Sequence, residues 1–258
     1  MASAHGSFIW YELVSPGPDA SKAFYDAVVG WTVQPRPDGP VDYRMIIAPD
    51  GGATGGVMHL TPEMAAGGAR AGWLGYVAVD DVDASAERLR ELGGAVAMGP
   101  WTMPGIGRMA VVTDPWGAPF HLMRGADGSG TSASFAPGVT GHVAWNELIA
   151  RDLDGALGFY AALFGWESPE RMAMPNGNYV FLDHHGTRIG AMASAREGES
   201  GGWRYYLRVD DVAAAAARVA AGGGVIAMGP YDTPAGDRIL IGDDPQGIGF
   251  ALVGPGAT

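Results

Sequence analysis

Two carboxylates stand at matching places in two copies of one motif. Glu12 lies in Gly6-Ser-Phe-Ile-Trp10-Tyr-Glu12-Leu13, and Glu147 lies in Gly141-His-Val-Ala-Trp145-Asn-Glu147-Leu148. The alternation of apolar and polar residues predicts a strand, with Trp10 and Glu12 on one face and Tyr11 and Leu13 on the other. A carboxylate on an inward face is costly to bury unless it is paired. Desolvation also raises its pKa towards that of a general base. Arg108 and Arg238 follow Pro/Gly turns in both halves and offer a structural pairing. Both readings of the glutamates, structural contact and general base, stay open; their duplication favours the structural one. Trp10, Trp145, Trp73 and Trp203 have the chemistry of a cavity wall that stacks on flat ligands, and Met58, Met123 and Met192 that of a pliable lining. Ordinary core packing explains the same residues.

The remaining chemistry is sparse. There are six histidines and no cysteine, so neither disulfides nor thiolate catalysis arise. Asp183-His-His-Gly186 reads as an exposed hairpin tip, and His5 and His142 gain no role. No phosphate-binding loop, dinucleotide fingerprint or Gly-x-Ser-x-Gly elbow occurs. A net charge of −12 argues against nucleic acid and anionic membrane surfaces. With 47% hydrophobic residues and no apolar run long enough to span a bilayer, a packed cytoplasmic protein is expected.

Several elements must position these residues. Asp19 opens a helix with Ala20, Ala23, Phe24, Ala27 and Val28 on one face, and Gly30 ends it. Short strands follow at 31–34, 43–48 and 54–60, with Asp50-Gly51-Gly52 as a hairpin turn. A strand at 73–79, a helix capped by Asp81 and ended by Gly93-Gly94, and strands at 95–98, 108–113 and 119–123 repeat the order. The second half does the same: Asp154 opens a helix striped by Leu157, Tyr160, Ala161 and Phe164. Phe24-Tyr25 and Gly30-Trp31 return as Phe159-Tyr160 and Gly165-Trp166. Val79-Asp-Asp-Val82, Met98-Gly-Pro100 and Asp114-Pro115 return as Val209-Asp-Asp-Val212, Met228-Gly-Pro230 and Asp244-Pro245. An internal repeat of this kind fixes the architecture. The reading is an α+β chain of four βαβββ units in two domains, residues 1–124 and 139–258. The Gly/Ser-rich segment 125–138 joins them as a flexible tether, and the two domains pair with each other in a monomer or homodimer.

The order and duplication of these motifs resemble the vicinal oxygen chelate superfamily, which includes glyoxalase I, bleomycin-resistance proteins and extradiol dioxygenases. The resemblance covers nearly the whole chain. It implies two tandem glyoxalase-like domains, each of two βαβββ units rolled into a half-open barrel around a cavity. Metal-dependent members place ligands on the first and last strands of each unit. Carried onto this chain, those positions are Trp10, His59, Leu74 and His121 in the first domain. In the second they are Trp145, Ala193, Arg204 and Ala251. Indole, aliphatic and guanidinium groups do not bind a cation, and a stable divalent site needs about three or four N, O or S donors. The expectation is therefore no cofactor.

The expected activity is binding, or metal-independent transformation, of a small hydrophobic or aromatic organic ligand. Trp10, His59, Leu74, Met123, Trp145, Glu147 and Arg204 contact it, and Glu12 and His121 are the catalytic candidates. The alternative is a metal-dependent lyase, isomerase or oxygenase in which His59, His121 and Glu12 hold one divalent ion such as Fe, Zn, Ni or Mn. That alternative needs the two histidines in one cavity.

Overall fold

The computed structural model describes residues 3–126, 131–174 and 177–256. Its strands and helices follow the repeat. Module 1 comprises β1 (Phe8–Ser15), α1 (Pro18–Val29), β2 (Thr32–Val33), β3 (Tyr43–Ile47), β4 (Ala53–His59) and a short α2 (Pro62–Ala66). Module 2 comprises β5 (Gly72–Ala78), α3 (Val82–Glu91), β6 (Ala95–Met103), β7 (Gly107–Thr113) and β8 (Pro119–Gly125). Module 3 comprises β9 (Val143–Ala150), α4 (Leu153–Phe164), β10 (Glu167–Met174), β11 (Gly177–His184) and β12 (Thr187–Ser194). Module 4 comprises β13 (Gly202–Arg208), α5 (Val212–Ala221), β14 (Val225–Asp232), β15 (Asp237–Asp243) and β16 (Gly249–Pro255). The strands form two eight-stranded sheets, ordered β2-β3-β4-β1-β5-β8-β7-β6 and β10-β11-β12-β9-β13-β16-β15-β14.

The chain divides into two compact units. One contains residues up to Trp10, Leu74–Ser132 and Trp145–Trp203; the other contains Tyr11–Trp73, Ala133–Ala144 and the residues from Arg204 onwards. The first unit thus holds modules 2 and 3, and the second holds nearly all of modules 1 and 4. The boundaries fall beside a tryptophan in each first strand: after Trp10, Trp73 and Trp203, and before Trp145.

Period-two burial sets the faces of every module. Leu13 and Val57 in module 1, Val77 and Leu122 in module 2, Leu148 and Met192 in module 3, and Leu207 and Leu252 in module 4 are all at most 1% exposed. They form the sheet layer that the helices cover, and burying each such side chain contributes about 1.5–3 kcal/mol. Their neighbours in sequence therefore occupy the opposite face. Each unit has its own core: Phe24, Tyr25 and Phe250 pack edge to face in one, and Phe120, Tyr160, Phe164 and Trp166 pack in stacked, tilted and edge-on contacts in the other.

Some local expectations change. The N-cap of α4 is Asp152, whose carboxylate accepts from Gly155 N, rather than Asp154. α1 begins at Pro18 behind Gly17, which offers no capping side chain. α2, capped by Thr61, has too few residues for a periodic signal. The joining segment is bonded over much of its described length: Ser132 Oγ donates to Ile9 O, Val143 N to Ser134 O, and Phe135 bridges to Val143. A loose tether does not describe residues 132–136. Residues 127–130 of that segment lie outside the described residues.

Candidate functional site

The first- and fourth-strand positions that the sequence analysis singled out can be located by register. In module 2, β5 and β8 run parallel with Tyr76 opposite His121. In module 4, β13 and β16 pair Tyr206 with Ala251. In module 1, β1 and β4 pair Glu12 with Gly56, and in module 3 β9 and β12 pair Glu147 with Ala191. With the buried residues Leu13, Val77, Leu148 and Leu207 aligned, Glu12, Tyr76, Glu147 and Tyr206 are equivalent. So are Gly56, His121, Ala191 and Ala251.

This register corrects the placement of His59. Its strand equivalent to His121 is Gly56; His59 lies at the end of β4 opposite Ser15, half-buried, in the unit that does not contain His121. In the second domain the equivalent is Ala191 rather than Ala193. Counting from flanking motifs misplaced both, because loop lengths differ between modules while the ladder does not.

Gly56 is not a vacant donor position. A Cβ built on it would stand 2.2 Å from the Tyr43 hydroxyl and 2.3 Å from Tyr43 Cζ, so the phenol ring covers the strand there. The third-strand tyrosine has a counterpart in Tyr179, which accepts a hydrogen bond from Trp145 Nε1 at 2.9 Å. Sequence reading missed both tyrosines. Only the strand register, which the sequence does not display, reveals them: each lies opposite the fourth strand of its module, Tyr43 beside Met58 and Tyr179 beside Ala193.

His121 is buried and its ring stacks on Tyr76, with centroids 3.9 Å apart and planes 6° from parallel. Burial pushes its pKa down to about 3, so it is a neutral imidazole near pH 7. Met123 is half-buried two residues on, opposite Ala78 and Met109. Glu12 and Glu147 are both buried, at 4% and 5% exposure. Arg108 and Arg238 are taken elsewhere: Arg108 forks onto Asp83 at 2.5 and 2.6 Å, and Arg238 onto Asp232 at 2.8 and 3.2 Å. Trp10, Leu74 and Arg204 are half-buried on β1, β5 and β13. Trp73 and Trp203 are half-buried and held by their indole N–H groups. Trp73 Nε1 donates to Tyr25 OH at 3.3 Å and Trp203 Nε1 to Tyr160 OH at 3.1 Å, inside the two cores. His184 is likewise no exposed turn residue: it is buried and its Nε2 meets His5 O at 2.8 Å, while His185 alone is exposed.

A cleft of about 90 Å³ opens in the first unit between the Asp114 turn and the end of β9, lined by Trp116, Ala150, Arg151, Ala156 and Gly201. The matching place in the second unit is filled. There Gln246 Nε2 donates to Ser21 Oγ at 2.7 Å and to Ser15 Oγ at 3.1 Å. The cleft coincides with the replacement of that glutamine and those serines by Trp116, Ala156 and Ala150.

The donor set does not suit a divalent cation. Of the four fourth-strand positions only His121 carries a donor; the others are glycine under a phenol ring and two alanines. Among the described residues no group of three or more His, Asp or Glu side chains gathers closely enough to hold an ion.

Four βαβββ modules in two sheets define a class of α+β fold, and solved structures share it. The chain is similar to 2,2',3-trihydroxybiphenyl 1,2-dioxygenase of Sphingomonas wittichii (TM-score 0.66, 16% identity, 98% of this chain and 91% of the other). It is also similar to homoprotocatechuate 2,3-dioxygenase of Brevibacterium fuscum (TM-score 0.67, 15% identity, 99% and 83%). At that identity the likeness shows the fold alone. Residues 7–122 and 140–252 each match the family described as the Glyoxalase/Bleomycin resistance protein/Dioxygenase superfamily, and the chain belongs to that superfamily as two tandem glyoxalase domains. A Mycobacterium tuberculosis protein named putative glyoxylase CFP32 is 33% identical over 253 residues, 95% of this chain and 94% of that protein. The anthracycline biosynthesis protein DauV of a Streptomyces species is 32% identical over 265 residues, 97% and 94%.

Proposed function

We propose that this chain binds a small aromatic or hydrophobic organic molecule on its glyoxalase-type sheets, and handles it without a metal ion. The observation that carries the reading is Gly56 beneath the Tyr43 ring. A fourth-strand position of the kind that holds a ligand in metal-dependent relatives is here closed by an aromatic side chain, and its equivalents Ala191 and Ala251 offer no donor. The 32% identity to an anthracycline biosynthesis protein favours an aromatic guest. Glu12 and Glu147, both buried, and the neutral imidazole of His121 are the candidates for proton transfer.

The test joins metal analysis to ligand binding. Protein purified without chelators contains well under one equivalent of Fe, Zn, Ni or Mn, and aromatic ligands raise its melting temperature equally with and without EDTA. Ligand-dependent stabilisation follows RT ln(1 + [L]/Kd), about 2.7 kcal/mol at a hundredfold excess over Kd. A full equivalent of metal that disappears in His121→Ala would return the chain to the metal-dependent lyases, isomerases and oxygenases of its superfamily.

A further inference from the structure

From the aromatic side chains of module 3 we infer a stacking platform that takes a flat aromatic ring system, an inference that rests on the small-molecule reading above and specifies its ligand class. The residues all belong to one unit. β12 lies between β11 and β9 in the sheet. On the face away from α4, β9 presents Trp145, β11 presents Tyr179 and Phe181, and β12 between them presents Ala191 and Ala193. The alanines stand directly opposite the aromatic residues, Ala191 against Phe181 and Ala193 against Tyr179.

Strands two apart in a sheet are about 9.6 Å apart. The hydrogen bond from Trp145 Nε1 to Tyr179 OH, 2.9 Å long, therefore joins indole and phenol across β12. Rings that cross a strand in this way need small side chains beneath them, and Ala191 is completely buried. Phe181 supports the bridge edge to face, with its centroid 5.4 Å from Tyr179 at 75° and 6.1 Å from Trp145 at 79°. Arg188 closes the other side of Phe181, 4.5 Å from its centroid, and is itself fixed by Asp183 and Glu170. Trp145, Tyr179 and Phe181 all remain half-exposed. Both ends of the bridge are thus held in place while its rings stay open to a guest. A flat aromatic molecule gains from stacking on such rings beyond the area it buries. Module 1 repeats the device in outline, with Tyr43 lying over Gly56.

Tyr179 is a positioning residue in this arrangement: it orients the indole that the guest touches. The experiment compares 2-naphthol with its saturated analogue decahydro-2-naphthol, which has the same skeleton and hydroxyl but cannot stack, by titration calorimetry on the full chain. Wild-type protein should prefer the flat compound at least tenfold. Trp145→Ala should erase that preference, and Trp145→Phe should keep most of it. Tyr179→Phe should reduce the preference about threefold with an unchanged melting temperature, which a purely structural tyrosine would not do. Trp145→Leu serves if the alanine variant fails to fold, with the same loss expected. Equal binding of the two compounds, or a preference that survives in Trp145→Ala and Trp145→Leu, overturns the platform and leaves small-molecule binding standing. Failure of both compounds to bind wild-type protein at millimolar concentration overturns both.

Discussion

His121 makes the protein's stability depend on acid in one definable way. Its imidazole is buried against Tyr76, and burial holds its pKa down at about 3, against about 6.5 in an unfolded chain. The unfolded state therefore binds a proton that the folded state refuses. Stability from this group is fully present above about pH 6.5 and is lost as the pH falls towards 3, by about 1.4 kcal/mol per pH unit at most. His121→Phe keeps a flat ring against Tyr76 and removes the titration. Urea midpoints at pH 4, 5, 6 and 7 should rise with pH more steeply in the wild type than in the variant, by the equivalent of about one proton. Parallel curves would mean that the imidazole reaches water. At the same scale, Gly56→Ala should destabilise by about 1–2 kcal/mol, because the new methyl group displaces the Tyr43 ring. Tyr43→Ala in the same chain should recover part of that loss in chemical denaturation, since the obstacle is a side chain rather than backbone.

The elements were largely legible, and the reasons for the exceptions are physical. Alternation in Phe8–Leu13 and the striped helix around Phe24-Tyr25 gave β1 and α1 because one face of each is buried. The repeat then supplied the other three modules. Register was not legible, because it depends on the ladder between strands remote in sequence, and so His59 took the place that belongs to Gly56. The tyrosines that displace donors were invisible for the same reason. Glycine at the neighbouring position shows how tightly the ladder is built. A Cβ on Gly55 would meet Tyr11 O at 2.4 Å, and one on its equivalent Gly190 would meet Asn146 O at 1.9 Å. Both obstacles are backbone in the parallel partner strand, so neither can swing aside. Gly55→Ala and Gly190→Ala should each cost about 2 kcal/mol or more, in the upper part of the usual range for overpacking. A change under 0.5 kcal/mol in either variant would show that the parallel pair separates easily.

Across the whole molecule, duplication separates what holds the fold from what serves a ligand. Each unit carries the same buried relay. Trp203 donates to Tyr160, which donates to Asp114 Oδ2 at 3.2 Å; Trp73 donates to Tyr25, which donates to Asp244 Oδ2 at 3.4 Å. The other carboxylate oxygen accepts two backbone N–H groups in each case, from Trp116 and Ala118 or from Gln246 and Ile248. A device kept in both units, whatever each unit does with the space beside it, is scaffold. Its carboxylates nonetheless sit uneasily: burial raises the pKa of both Asp114 and Asp244, outweighing the hydrogen bonds that favour the ion. The folded state thus binds these protons more tightly than the unfolded chain. That stabilisation is complete below the unfolded carboxylate pKa of about 3.9 and disappears as the pH rises through the folded values, the reverse of the His121 contribution. Asparagine keeps the acceptor for the backbone N–H groups and carries no charge. The double variant Asp114→Asn, Asp244→Asn should therefore gain melting temperature relative to wild type as the pH is raised from about 4 to 7. A gap that moves the other way would show that the turn hydrogen bonds, and not desolvation, govern both aspartates.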